Sequence, residues 1–187
     1  YYNFCISYKD YETYKRDGAN VDKLLVCPNG AQHRDYHFTE KPLKPSWTLY
    51  LGRIEPRKRQ YLYQDIYGVE FVGKYTDTTS FDRNRDCYLG QWEHEYKLQH
   101  VTDYGNMMLL SDGENGTPLV IKEALVAGLG VVVSKYAAHD LDTSLPFVTV
   151  IPDDKWEDIE YVQEKLIENR KISVTMRKEI RQYGVDN

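Results

Sequence analysis

The chain has 187 residues, of which 41% are apolar and three are cysteines, and a formal net charge of -5; that length allows one well-formed core and part of another. The acidic balance argues against a nucleic-acid partner, because phosphate backbones select basic surfaces. The odd, widely spaced Cys5, Cys27 and Cys87 argue against a disulfide framework and for a reducing compartment, and no apolar run approaches the length of a transmembrane segment or a signal peptide core.

The opening YYNFCISYKDYETYK reads as if it begins inside a domain, so we expect a fragment. Phe4 to Ser7 predicts a short strand, Asp10 to Lys15 a helical turn or two, and Lys23 to Val26 a second strand entering the turn Pro28-Asn29-Gly30. Ala31 to Pro45 is polar, carries Pro42 and Pro45, and reads as a linker. This divides the chain into residues 1–45, the end of one domain with its linker, and residues 46–187, a second domain. His33 and His37 stand four apart, a spacing that holds zinc on a helix, but no helical pattern surrounds them and they read as solvated linker residues.

Trp47 to Leu51 predicts a buried strand running directly into Gly52-Arg53-Ile54-Glu55-Pro56-Arg57-Lys58-Arg59. Four cations within seven positions at a strand end can neutralise a diphosphate bound at a sheet edge; they can equally be a solvated run capping a helix. A short helix is expected over Lys58 to Ile66, a strand over Val69 to Val72 ending in Gly73-Lys74, a surface loop over Thr76 to Arg85, a strand over Cys87 to Leu89 and a helix over His94 to Val101.

Asn106 to Ser134 is the segment around which the rest is arranged. Met107 to Leu110 and Val131 to Val133 are apolar runs suited to strands buried on both faces. Between them lies the polar loop Asp112 to Gly116, then Thr117 as N-cap and Pro118 at the first helical position, a helix to about Ala127, and Gly128 as its left-handed stop. The right-handed crossover of such a unit brings the loop and the helix N-terminus to the carboxyl edge of a parallel sheet, where free amides favour an anion. Glu123 sits in that helix among Leu119, Val120, Ile121, Ala124 and Leu125. A carboxylate against apolar neighbours needs donors, and a ribose diol offers two; a glutamate early in any helix is also favoured by the dipole alone.

Farther on, Asp140-Leu141-Asp142 has the D-x-D form of some metal-binding loops, but two aspartates in a loop read as solvated or capping residues. Asn115-Gly116-Thr117 meets the N-glycosylation rule, read here as chance. Phe147 to Ile151 predicts the last strand, and Trp156 to Glu168 and Val174 to Tyr183 predict amphipathic helices over one sheet face. This alternation describes a doubly wound parallel α/β sheet, and the absence of GxGxxG disfavours hydride transfer.

Ser111, Glu114, Pro118, Glu123-Ala124-Leu125 and Gly128 ahead of a valine-rich strand, together with Gly52-Arg53 followed by Lys58, resemble the retaining GT-B glycosyltransferases, family 4 in particular. The resemblance implies a Rossmann-like fold, the C-terminal half of a GT-B enzyme. It implies a hexosyltransferase-type reaction from a nucleotide diphosphate sugar to a glycan, lipid or protein acceptor, with no metal and no cofactor beyond the donor. By the same resemblance Arg53 and Lys58 hold the pyrophosphate, Glu114 lies by the donor sugar, and Glu123 binds the ribose. Gly73 borders the base, and Asn115, Gly116, Thr117 and Pro118 form the stretch that touches sugar or phosphate. Asn115 to Lys122 separate the two glutamates, one residue more than in the family, so either Glu114 or Asn115 takes the first position. The missing N-terminal domain would complete the acceptor site and leave this fragment inactive alone. A cytoplasmic setting is implied, with a membrane periphery open through the missing part. An epimerase or phosphorylase of the same architecture, or a non-catalytic scaffold, are the alternatives.

Overall fold

A computed structural model describes residues 1–76, 80–114 and 116–187. It contains two parallel sheets. The smaller pairs β1 (Asn3–Cys5) with β2 (Leu24–Val26), joined through α1 (Tyr8–Arg16), whose N-cap Ser7 accepts the Asp10 amide.

The larger sheet has five parallel strands in the order β4-β3-β5-β6-β7, with β3 Lys44–Leu51, β4 Val69–Val72, β5 Tyr104–Leu109, β6 Gly130–Ser134 and β7 Val148–Ile151. Every residue of β4, β5 and β6 is buried, as expected for parallel strands covered on both faces. Helix α2 (His94–His100) precedes β5, α3 (Leu119–Val126) connects β5 to β6, and α4 (Ile159–Thr175) and α5 (Arg177–Asp186) end the chain. None of the described helices is long and apolar enough to cross a membrane. From β3 the chain steps to β4 on one side and returns to β5 on the other, so the direction of winding reverses between β3 and β5. In open α/β sheets the crevice at such a reversal, beyond the carboxyl ends of the strands, is the ligand site.

The opposite, amino edge is closed by polar side chains of α4. Asn169 donates to the carbonyls of Val131 and Phe147 and accepts from Asn106 Nδ2 at 2.9 Å, and Asn106 accepts from Thr48 Oγ1 at 2.6 Å. Ser173 accepts the Gly130 amide at 2.7 Å, and Arg170 donates to the carbonyls of Ser46 and Gly68. Each of these amino-edge groups therefore has a partner, without which its burial would be costly. Arg177 performs the same task at the start of α5. It donates to the carbonyls of Thr39, Thr102, Tyr104 and Ala127, and burial brings its pKa down to about 10, still charged at neutral pH.

Four expectations are corrected. The segment expected as a helix over 58–66 forms two short 3-10 turns, Pro56–Lys58 and Gln60–Leu62. The reason is tertiary: the Tyr50 hydroxyl donates to the Lys58 carbonyl, removing it as a helical acceptor, and Arg59 adopts the left-handed region at φ 57. Cys87 to Leu89 is not a strand but a single bridge of Tyr88 to Phe71. The cap of α3 is Pro118 itself, with Leu119 as the first helical residue and Thr117 outside the helix. Of the last two helices only α4 lies across the sheet; α5 packs on α3, with Gly184 against the backbone of Leu125 and Val126.

Candidate functional site

Two loops meet at the reversal between β3 and β5, residues 52–59 after β3 and 110–118 after β5, and hydrogen bonds make them one unit. The Leu110 amide donates to the Tyr50 hydroxyl at 3.2 Å, the same hydroxyl that holds the Lys58 carbonyl, and the Asp112 amide donates to the Arg57 carbonyl at 2.8 Å. Arg59 adds an ion pair to Asp112 at 3.5 Å. The floor is made by glycines. A Cβ on Gly73 would lie 1.9 Å from the Gly52 carbonyl oxygen, so the ends of β3 and β4 approach as only glycine permits, and the Lys58 side chain lies over Gly52.

Across this floor Lys58 Nζ reaches Glu114 Oε1 at 2.9 Å, and Arg57 Nη1 reaches the same oxygen at 3.3 Å while its Nε holds Glu55 at 2.8 Å. The Lys58 and Glu114 side chains are only 10% and 13% exposed, so the pair works in a partly dried setting. Burial alone would raise the Glu114 pKa; the Lys58 hydrogen bond and charge outweigh it and leave the carboxyl below its ordinary value.

The tip of α3 is closed by a reciprocal pair. The Thr117 amide donates to Asp140 Oδ2 at 3.0 Å, and the Asp140 amide donates to Thr117 Oγ1 at 3.1 Å. The positive end of the helix thus already meets a carboxylate. A Cβ on Gly116, at φ 71, would lie 3.0 Å from Ser7 Cβ and 3.2 Å from Asp140 Oδ2, so the first lobe of the chain packs closely on the loop here.

On the second turn of α3, Glu123 Oε1 accepts from Lys97 Nζ of α2 at 2.6 Å, with 14% and 19% of the two side chains exposed. Its Oε2 is buried and has no hydrogen-bond partner. The Tyr36 hydroxyl, likewise buried, stands beside that carboxylate, and burial first, then the Glu123 charge and a hydrogen bond toward it, raise the phenol pKa.

No protein-family model matches this chain, and no curated protein matches it in sequence. Solved structures do match in shape. Anabaena HepE in complex with UDP-glucose superposes with a TM-score of 0.74 at 15% identity, over 98% of this chain and 58% of that one. Sucrose-phosphate synthase from Thermosynechococcus elongatus gives 0.71 at 17%, over 98% and 53%. A TarM variant of S. aureus, solved with Fondaparinux, alpha-GlcNAc-glycerol and UDP, gives 0.70 at 14%, over 98% and 40%. The fold is Rossmann-like, of the GT-B type. The chain spans less than two thirds of the length of each of these GT-B structures.

Within the GT-B frame the residues expected from sequence are placed as follows. Lys58 and Glu114 are in contact, Gly73 lines the floor beside Gly52, and Gly116 and Thr117 sit between Asp140 and Ser7. Arg53 is exposed at the mouth and makes no ion pair among the described residues; the cation that reaches Glu114 with Lys58 is Arg57. Asn115 lies outside the described residues. Glu123 is half satisfied by Lys97 rather than free. Arg57, Lys97 and Tyr36 were not singled out from sequence. Arg57 carried a signal, its place in the cationic run; Lys97 and Tyr36 carried none. Asp140 is the capping residue among the readings of its D-x-D stretch.

Proposed function

We propose that this chain is the donor-binding part of a retaining glycosyltransferase, a hexosyltransferase of the family 4 type, moving a sugar from a nucleotide diphosphate to an acceptor. The observation that carries the reading is the Lys58–Glu114 contact at the point where the winding of the sheet reverses, with Arg57 and Arg53 beside it. A carboxylate held by two cations places charge where a diphosphate would exchange partners with it: the phosphates take Lys58 and the arginines, and Glu114 turns to sugar hydroxyls.

On this reading the bond between the sugar and the diphosphate breaks with its electron pair passing to the phosphate oxygen. An acceptor hydroxyl oxygen bonds the anomeric carbon on the same face and its proton passes to that phosphate, and Arg53, Lys58 and the first amides of α3 stabilise the departing charge. Glu123, fixed by Lys97, takes a ribose hydroxyl on Oε2, the oxygen beside which the Tyr36 hydroxyl now stands, and Gly73 borders the base. Neither a metal nor a further cofactor is assigned a part. The β1–α1–β2 lobe belongs to an N-terminal acceptor-side domain; the exposed Phe4 and Leu25, register partners on one face of its two strands, suit a covering layer from that domain. The fragment by itself then binds donor without turnover, in a cytoplasmic protein that its N-terminal domain could hold at a membrane surface.

The test is calorimetry with UDP, GDP and their glucose and mannose derivatives on the chain and on Lys58→Ala. Saturable binding of one diphosphate that the substitution removes supports the reading, and no binding of any of them ends it. A second reading, a scaffold that keeps only the fold, draws support from Asp140 occupying the tip of α3; absence of binding is the outcome that favours it.

A further inference from the structure

A second concavity, of about 500 Å³, lies away from the strand ends just described, and its size falls in the range of small-molecule sites. Its base is formed by Lys44 and Tyr104, the first residues of β3 and β5, and its walls by Trp92 and by Tyr96 and His100 of α2. Lys44 begins β3 and Lys58 follows its far end, so the two sites are separated by the length of that strand, on the order of 20 Å.

The geometry points to a saccharide-binding site here, for one or two hexose units of a glycan, independent of the donor crevice. The rings do not form a parallel slot. Trp92 meets Tyr96 edge-on at 5.2 Å and 68°, and Tyr104 at 6.2 Å and 44°. Tyr104 is buried beneath them and Tyr96 leans on His100 at 4.0 Å and 32°. The accessible aromatic surface is therefore that of the partly exposed Trp92 and Tyr96, inclined walls that do not sandwich a planar base but suit a puckered body whose C–H bonds carry slight positive charge.

A cationic ligand is disfavoured because the chain's own Lys44 ammonium already stands 5.0 Å from the Tyr104 ring, where it is held by Glu70 at 2.6 Å. An anion is disfavoured by Glu93 and Asp103 in the lining. What remains is a neutral ligand with apolar faces and hydroxyl edges. Gln91, Glu93 and the His100–Asp103 pair, its Nδ1 and Oδ2 2.8 Å apart, supply the matching donors and acceptors at the rim.

The experiment is a glycan array carrying glucose, galactose, mannose and N-acetylhexosamine oligomers, probed with the chain. The strongest hit is then titrated against tryptophan fluorescence, beside uridine and tetramethylammonium as controls. The expected result is saturable binding of an oligosaccharide that Trp92→Ala weakens by about tenfold or more, the scale of a lost aromatic contact. UDP binding at Lys58 should be unchanged. Tyr96 is 51% exposed, so Tyr96→Ala leaves the core intact and is the second variant should Trp92→Ala fail to fold. No glycan binding, binding indifferent to both substitutions, or binding of either control at Trp92 in preference to every glycan, overturns the inference. Absence of UDP binding by the unsubstituted chain with glycan binding present would instead sink the donor-site reading.

Discussion

Lys97 of α2 and Glu123 of α3 meet at 2.6 Å, joining the two helices that flank β5. Because only one carboxylate oxygen is engaged and both side chains are mostly buried, the pair neutralises a charge that the apolar side of α3 could not hold unaided. Lys97→Met strands that charge and should cost about 1–3 kcal/mol, the penalty of a buried polar group left unpaired. Adding Glu123→Gln should return part of the loss. A urea denaturation series on the single and double variants decides this, and simple additivity of the two changes would refute the coupling.

The other oxygen of the same carboxylate, beside Tyr36, makes a separate forecast for the ligand. Glu123→Ala is expected to weaken UDP binding about tenfold, the worth of a charge-assisted hydrogen bond to a ribose hydroxyl. The matching 2′,3′-dideoxy nucleotide should be indifferent to the change. Equal weakening of both nucleotides by calorimetry would remove the ribose from the argument.

Acid stability should report on the Lys58–Glu114 contact. The Glu114 carboxyl lies below its ordinary value of 4.5, so its contribution is present above 4.5 and is lost as pH falls through the lower, folded value. In Lys58→Met the lysine's hydrogen bond and charge are gone while burial and Arg57 remain, so the folded pKa moves upward and less stability is lost as pH falls. Thermal melts from about pH 3 to 6.5 should therefore differ in slope between the two proteins; parallel curves would show that the contact carries no linkage.

At the tip of α3, Asp140→Asn keeps an acceptor for the Thr117 amide while removing the negative charge. If a diphosphate approaches that tip, UDP affinity should rise several-fold, by the 0.3–1 kcal/mol or so that a charge near a helix end contributes. Asp140→Ala should in addition cost about 1 kcal/mol of stability, the size of a lost cap. A fall in affinity with the asparagine variant would show that the carboxylate orders the tip for the ligand rather than opposing it.

Gly184 tests the packing of α5 on α3. Alanine favours a helix over glycine by roughly 1 kcal/mol, but here its Cβ would lie 2.6 Å from the Leu125 carbonyl carbon and the Val126 nitrogen. These are backbone atoms with nowhere to go, and overpacking costs about 1–3 kcal/mol. The clash wins, and Gly184→Ala should lower the melting temperature by a few degrees; a rise would mean that the crossing is looser than its distances.

Much of this arrangement was legible in the residues. The strand Val69–Val72 is found at its expected limits, and Gly128 closes α3 in the left-handed region as its position implied. Those features depend on local pattern and backbone sterics. The segment after Lys58 was misread because its fate is decided by the Tyr50 hydroxyl, which belongs to another element. The partner of Glu123 was hidden for the same reason: Lys97 is 26 positions away, on a helix whose sequence carries no mark of what it will face. The cationic run showed that charge would gather beyond β3, but the choice of Arg57 over Arg53 to reach Glu114 follows from the turn at Pro56–Lys58, which periodicity does not encode.

Arg177 sets a limit on where this protein can bend. Its side chain ties the carbonyl of Thr39 to those of Thr102 and Ala127, while the His37 and Thr39 amides are themselves held by Leu98 and Thr102. Residues from about 37 onward are thereby riveted to the body that carries α3. Any rocking of the β1–α1–β2 lobe must pivot upstream of His33, whose carbonyl Arg181 holds, and would prise Ser7 away from Gly116. Tyr36 lies on the held side of that pivot, buried in the core of the larger sheet, so the lobe can swing while the cover over the Glu123 carboxylate stays in place.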